Sequence, residues 1–336
     1  MSNANKIIRL IDGEGGRATS HLVRDIFLKY FDNPLLAPLN DSAVTELESA
    51  KIAFTTDGFV IDPLEFPGGN IGKLAVCGTV NDLAASGAKP VLISVSFILE
   101  EGLEIERLER FVRSMAETAA EARVTIACGD TKVVQNSKGD GIYITTAGVG
   151  VFSETTPVEP TLIKPGDAVI ISGSIAQHAA SIIAIREGLN ADPPITSDCA
   201  PLADMVGKAL VGNTEIHTMR DPTRGGLGGI IIELSAQSGT KFVLDEVKIP
   251  VAPVVFNLCE LYGYDPIFMA CEGRMVFVLP EPMAHNLLGI LKGHPYGAGS
   301  AIIGHVEKGN GVILNTKSGG RRVLIPPEGS PLPRIC

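Results

Sequence analysis

The sequence is short of positive charge: 28 Lys and Arg stand against 38 Asp and Glu in 336 residues, a formal net charge of −10. No broad basic field exists to attract a phosphate backbone, so nucleic acid is not an expected partner. Long apolar runs are lacking too. Stretches such as Val169 to Ile171 and Ile230 to Ile232 fall far below the roughly 18 residues that a membrane-spanning helix needs. Residues 1 to 9 carry no apolar core of the kind a secretory signal has, and the expected location is cytoplasmic, with no membrane partner. Six cysteines, at 77, 128, 199, 259, 271 and 336, form no C-x-x-C pair, and six histidines form no H-E-x-x-H or H-x-x-x-H spacing. Neither a disulfide framework nor a locally encoded zinc site is expected. Solenoid repeats and a G-x-G-x-x-G dinucleotide fingerprint are also missing, which disfavours repeat architectures and Rossmann dehydrogenases.

What remains is ordinary globular composition, 45% hydrophobic and 20% charged, in a chain long enough for two domains. Apolar periodicity switches repeatedly between the strand and helix periods, the mark of an α/β or α+β fold. Helices are expected over 21–31, 73–86, 105–122, 176–188, 202–211, 226–237, 253–261 and 283–292. Strands are expected over 52–55, 90–99, 124–128, 142–152, 168–172, 241–244, 274–279, 301–306, 312–315 and 322–325. The polar, proline-bearing stretch Ser153 to Gly166 reads as a linker. The expected organisation is a glycine-rich loop and helix over 1–40, one domain over 41–157, a second over 158–325, and a tail over 326–336. The tail holds four prolines and three apolar side chains, too many of the first for a helix and too few of the second for a core. It is expected to be a mobile, extended arm of about 34 Å at polyproline rise.

Several clusters carry chemistry. Gly15 and Gly16, in Asp12-Gly13-Glu14-Gly15-Gly16, can cradle phosphate with backbone N–H groups or serve as a plain connector. Gly68-Gly69-Asn70-Ile71-Gly72-Lys73 looks like a P-loop, but Leu74 replaces the Ser or Thr that would hold a metal, so it is not a Walker A. Asp57 and Asp130 are expected just after strands and Asp82 inside a helix. Each alone is an ordinary turn or cap residue; together they suit Mg²⁺ on nucleotide phosphates, because that hard cation takes oxygen ligands. Asp82 stands in a small, apolar segment where an unpaired charge is costly. Lys132 can meet a phosphoryl group or simply be solvated, and Asp221-Pro222-Thr223-Arg224-Gly225-Gly226 either offers backbone donors and the Arg224 guanidinium to anions or is merely an N-cap with a proline turn. Glu272 heads an apolar strand, where it either has its pKa raised by burial and serves as a general base or pairs structurally with Arg274 or a backbone amide. Cys336 is the last residue, which excludes C-a-a-X prenylation. It is either an accidental exposed thiol, a reactive liability in a soluble protein, or, on a proline-stiffened arm, a covalent carrier.

Taken together, T-D-G-F-V-I-D-P-L-E-F-P-G-G-N-I-G-K-L at 56–74, N-D-L-A-A-S-G-A at 81–88, G-D-T-K-V-V at 129–134, R-D-P-T-R-G-G at 220–226 and terminal P-R-I-C at 333–336 resemble the HypE family, the carbamoyl dehydratases of hydrogenase maturation. The resemblance spans essentially the whole chain. N-D-L-A-A-S-G-A is also similar to the wider PurM-like superfamily of aminoimidazole ribonucleotide synthetase, selenophosphate synthetase and thiamine-phosphate kinase. The resemblance implies a PurM-like two-domain fold whose first domain forms a dimeric β-barrel, a homodimer with ATP and Mg²⁺ near the interface. It implies that the carbamoyltransferase HypF loads Cys336, that ATP-dependent dehydration turns the S-carbamoyl group into an S-cyanate, and that HypC and HypD receive the cyanide for iron. Asp57, Asp82 and Asp130 would place Mg²⁺ and phosphate, with Lys73, Gly15, Gly16 and Arg224 as further nucleotide contacts, Lys132 stabilising charge, Glu272 as base and Cys336 as carrier. Asp12 and Glu14 depart from the family's glycine loop, where a histidine and a small residue are expected. The alternatives are a small-molecule kinase or synthetase of the same superfamily and a non-catalytic ATP-sensing scaffold. Deleting residues 331–336 is expected to abolish dehydration, whereas a small-molecule kinase would keep its ADP release after the same deletion.

Overall fold

The computed structural model describes residues 7–9, 22–34, 51–152, 158–212, 215–325, 332 and 334–336. Gly15 and Gly16, and the phosphate-cradle reading of their loop, lie outside the described residues. In the first half, β1 (Ile52–Phe59) leads to a small hairpin of β2 (Glu65–Phe66) and β3 (Gly69–Asn70). Helix α1 (Ile71–Ala85), β4 (Lys89–Glu100), α2 (Ile105–Ala122), β5 (Thr125–Val134) and β6 (Ile142–Val151) follow. Four strands form one sheet in the order β1-β6-β4-β5, antiparallel except for the β4–β5 pair.

Helix α1 starts where Asn70 caps it, its side-chain oxygen accepting from the N–H groups of Gly72 at 2.9 Å and Lys73 at 3.1 Å. Its apolar residues are not confined to one stripe: Ile71, Leu74, Val76, Cys77, Val80 and Leu83 are all buried. A helix apolar all round needs cover on several sides. Accordingly α1 packs against the first sheet and α2 while also meeting the second half of the chain. Helix α2 is one-sided instead, burying Leu108, Phe111, Val112, Met115 and Ala119 at helical spacing. The two helices approach so closely that a Cβ on Gly72 would lie 2.2 Å from the Phe111 carbonyl oxygen.

The second half contains β7 (Asp167–Ile171), α3 (Gln177–Arg186), α4 (Ala203–Gly212), β8 (Thr218–Arg220), α5 (Gly226–Ser238) and β9 (Lys241–Asp245). Then come α6 (Pro253–Tyr262), β10 (Val276–Pro280), α7 (Glu281–Lys292), β11 (Ala301–Glu307), β12 (Gly311–Asn315) and β13 (Arg321–Val323). Seven strands make one sheet, in the order β13-β12-β9-β11-β7-β10-β8. β7 is buried at every residue and β10 at all but Pro280, because elements cover both faces at its centre.

The expected α/β architecture is present, with differences that have local causes. β1 runs on to Phe59 and β5 to Val134, so Asp57 and Asp130 lie within strands rather than after them. Both are edge strands with a single neighbour, and a half-solvated edge tolerates the polar Thr-Thr-Asp-Gly and Gly-Asp-Thr-Lys stretches. Glu272 sits in a bend four residues before β10 rather than at its head. The hairpin β2–β3 and the three-residue β8 were too short to carry a period. Substituting Gly72→Ala is expected to destabilise the chain by roughly 3 kcal/mol, since backbone rather than a flexible side chain opposes the new methyl; the urea midpoint measures it.

Candidate active site

Two acids from the first domain are cross-tied. The hydroxyl of Thr79 on α1 donates to Asp57 Oδ2 on β1 at 3.0 Å, and the hydroxyl of Thr55 on β1 donates to Asp82 Oδ2 on α1 at 2.9 Å. Burial pushes both carboxyls above the ordinary range. For Asp82 the negative charge of Asp57 adds to burial, while Thr55 and Arg220 oppose it. A third acid, Asp221, follows β8 and is pushed up to about 7, first by burial and then by the charges of Asp82 and Asp57. Three acids that resist ionising beside one another suit a partner of positive charge.

The second domain brings Glu272. It is 3% exposed, and its Oε1 has no hydrogen-bond partner. Burial is the largest cause holding its carboxyl well above the usual range, followed by the neighbouring Cys199, Asp221, Asp198 and Asp57. Its backbone is tightly fixed. The Glu272 N–H donates to Asp198 Oδ1 at 3.2 Å, and its carbonyl accepts from Asn81 Nδ2 at 3.3 Å. Asn81, buried on α1, also donates to the Ala200 carbonyl at 3.1 Å and accepts from the Leu202 N–H at 2.8 Å. One amide thus ties the loop at 200–202 and the bend at 272 to the helix that carries Asp82.

The end of the chain enters the same cleft. The carbonyls of the last three residues are all bound: Arg334 by the Asp62 N–H at 3.1 Å and Arg186 Nη2 at 2.7 Å, Ile335 by His178 Nε2 at 2.7 Å, and Cys336 by the Val60 N–H at 3.1 Å. Ile335 is 3% exposed. The expected free arm is therefore seen with its end docked. The Cys336 thiol is pushed up to about 12, by burial first and then by Glu272, with Arg224 opposing and Asp57 adding. Cys336, Glu272, Asp57 and Arg224 share one electrostatic neighbourhood.

Other candidates stand apart. Lys132 Nζ lies 2.8 Å from each oxygen of Asp130, both side chains being mostly solvated, and the lysine holds the Asp130 carboxyl below its usual range. Asp57 pairs with Thr146 of β6 and Asp130 with Ser96 of β4, on opposite edges of the sheet. Three strand spacings separate them, roughly 14 Å, so within one chain a single Mg²⁺ cannot take both. This corrects the expectation of one three-aspartate set; among the described residues no group of three or more His, Cys, Asp or Glu side chains is placed to hold a metal. Lys73 donates to the Gly68 carbonyl at 2.9 Å, inside a hairpin and cap rather than a P-loop.

The family models for AIR synthase related protein match at residues 39–152, N-terminal domain, and 164–317, C-terminal domain. A curated relative, the carbamoyl dehydratase HypE of Cupriavidus necator, is 45% identical over 96% of this chain and 93% of its own length. The chain belongs to the HypE family of carbamoyl dehydratases. The crystal structure of a HypE protein in complex with ATP superposes with a TM-score of 0.95 at 42% identity, covering 98% of this chain and 99% of that one. A HypE–HypF complex structure matches with a TM-score of 0.81 at 43% identity, covering 91% and 99%. The described residues contain no helix long and apolar enough to cross a membrane.

Three residues of this HypE-family site were not weighed from sequence: Asn81, Asp221 as an acid, and His178. Asn81 and Asp221 fall inside the N-D-L-A and R-D-P-T-R motifs, so a signal existed. His178 carried none. Glu272 holds its proton more tightly folded than unfolded, so its contribution to stability is complete below the ordinary carboxylate range and is lost as pH rises through the raised value. Glu272→Gln is therefore expected to stabilise the chain by roughly 1–3 kcal/mol at about pH 9 and to change little near pH 4, which thermal melts across pH would reveal.

Proposed function

We propose that the protein dehydrates an S-carbamoyl group on its own Cys336 to an S-cyanate with ATP, supplying the cyanide ligand for the iron of nickel–iron hydrogenase. The observation that carries this reading is the terminal thiol docked beside a buried carboxylate with an unpartnered oxygen and beside the Asp57–Asp82 pair. Relatives solved with ATP and with HypF support it.

The chemistry follows from the leaving group. Oxygen in S–C(=O)–NH₂ does not depart as such. The carbonyl oxygen attacks the γ-phosphorus of ATP, the bond to ADP breaks, and loss of one N–H proton leaves S–C(=NH)–OPO₃²⁻. Removal of the second N–H proton forms C≡N and expels phosphate, so the sum is thiocyanate, ADP and phosphate. Glu272 takes the nitrogen-bound proton, its raised pKa matching it to that task. Phosphoryl transfer is mostly positioning and electrostatics. The donor set suits Mg²⁺: Asp57 and Asp82 are oxygen ligands whose raised pKa values a hard cation would relieve. They would hold the ion, which supplies charge neutralisation on the phosphates, and Arg224 adds a guanidinium. Asp130 and Lys132 take part through a homodimer in which the free edges β1 and β5 of two sheets meet; on β1, Phe54 is 69% exposed. HypF is the carbamoyl donor, and HypC with HypD the cyanide acceptor.

Mass spectrometry of carbamoylated chain with ATP is expected to show the C-terminal peptide losing one water; a persistent carbamoyl adduct would overturn the reading. Cys336→Ala should form no adduct while still binding ATP. Glu272→Gln should slow the step by at least about 100-fold and erase its rise with pH, which in the parent lies above the ordinary carboxylate range because the base must be ionised. A scaffold would be indifferent to Glu272→Gln.

A further inference from the structure

His178 is fully buried, near the start of α3, in a place the proposed chemistry does not use. Its ring meets three partners. Phe66 of β2 packs edge-on with ring centres 5.2 Å apart and planes at 86°, Nδ1 lies 2.8 Å from Ser197 Oγ, and Nε2 lies 2.7 Å from the Ile335 carbonyl oxygen. A carbonyl only accepts, so Nε2 carries the proton and donates it to the Ile335 oxygen. Nδ1 is then an acceptor for the Ser197 hydroxyl. Ser197 Oγ in turn accepts from the Cys199 N–H at 3.1 Å, and the intervening Asp198 accepts from the Glu272 N–H. Burial lowers the pKa of the imidazole, against the Ile335 hydrogen bond and the charge of Asp198, and so favours the neutral ring this tautomer needs.

Residues 197–199 therefore fix two things at once, the backbone of the base and the ring that grips the tail. The hairpin joins in, since the Ser197 N–H donates to the Pro67 carbonyl at 2.8 Å. Of the groups that bind the last three carbonyls, Arg186 is solvated and also serves the Asp62 carbonyl, and Val60 and Asp62 act through backbone. His178 is the buried side chain among them, and a buried carbonyl that loses its donor has no water to replace it.

We propose that His178 is a positioning residue whose Nε2–H latches the Ile335 carbonyl and so holds the sulfur of Cys336 at Glu272. This rests on the carrier role of Cys336 proposed above. The latch predicts opposite effects on the two halves of the cycle. Releasing the tail hinders dehydration, which needs the docked state, and does not hinder loading, which needs an accessible thiol.

The test alkylates the native full-length chain with iodoacetamide and follows each cysteine by peptide mass. Relative to the parent, His178→Phe, which cannot donate, should make Cys336 react at least about fivefold faster, while the buried Cys77 and Cys271 stay unreacted. His178→Gln, whose amide can reach the Ile335 oxygen, should return Cys336 close to the parent rate. In single turnover of the carbamoylated chain with ATP, His178→Phe should slow loss of water by a similar factor, with carbamoyl transfer to Cys336 by HypF undiminished. Should Cys77 and Cys271 react in the Phe variant, His178→Asn takes its place; its amide keeps the Ser197 contact but falls short of Ile335. Unchanged Cys336 reactivity in a folded non-donating variant would overturn the latch, as would loading and dehydration falling together. An alkylation contrast that holds while even the parent fails to dehydrate would overturn the proposed chemistry and leave the latch standing.

Discussion

A carboxylate kept from solvent with one oxygen lacking any donor is a costly arrangement, and at Glu272 the surrounding backbone is built to impose it. The bend that carries it touches the loop at 198–200 backbone to backbone: a Cβ on Gly273 would fall 1.7 Å from the Asp198 carbonyl oxygen. Only glycine allows that approach. Asp198 and Asn81 then occupy the Glu272 N–H and carbonyl, so the side chain has little freedom to swing toward water.

That constraint reaches across the molecule through α1. The helix is apolar nearly all round because it serves both halves, and apart from Lys73 its polar residues tie the two acids and the second domain's loops to it. Thr79 steadies Asp57, Asp82 bonds Thr55, and Asn81 holds the second domain's loops. The R-D-P-T-R-G-G turn is drawn in by the same economy of space. Gly226, at a φ of +60°, leaves room for the Met269 backbone, and the Cys271 N–H donates to the Pro222 carbonyl. Asp221 is thereby set near Glu272, and Arg224 near Asp57 and Cys336.

Docking changes the character of the terminal sulfur. With its pKa pushed up to about 12, the seated Cys336 is protonated and a poor nucleophile. Under the chemistry proposed above, loading would belong to an accessible tail and elimination to the seated one, near Glu272. The tail is held by its main-chain carbonyls, by the buried side chains of Leu332 and Ile335, and by an ion pair of Arg334 with Asp140.

Much of this was legible in the sequence. Helix and strand periods located most elements, apart from the shortest, because those signals are local. Motif residues Asp57, Asp82, Arg224, Glu272 and Cys336 were identifiable by residue type, and the terminal cysteine on a proline-rich tail marked the carrier proposed above. Tertiary structure alone decided which of them converge. It parted Asp130 from Asp57, since two similar acids on strands say nothing about which strands become opposite edges. It also recruited His178, 157 positions from the carbonyl it binds, because a hydrogen bond closed by the packing of distant loops leaves no periodicity in the chain.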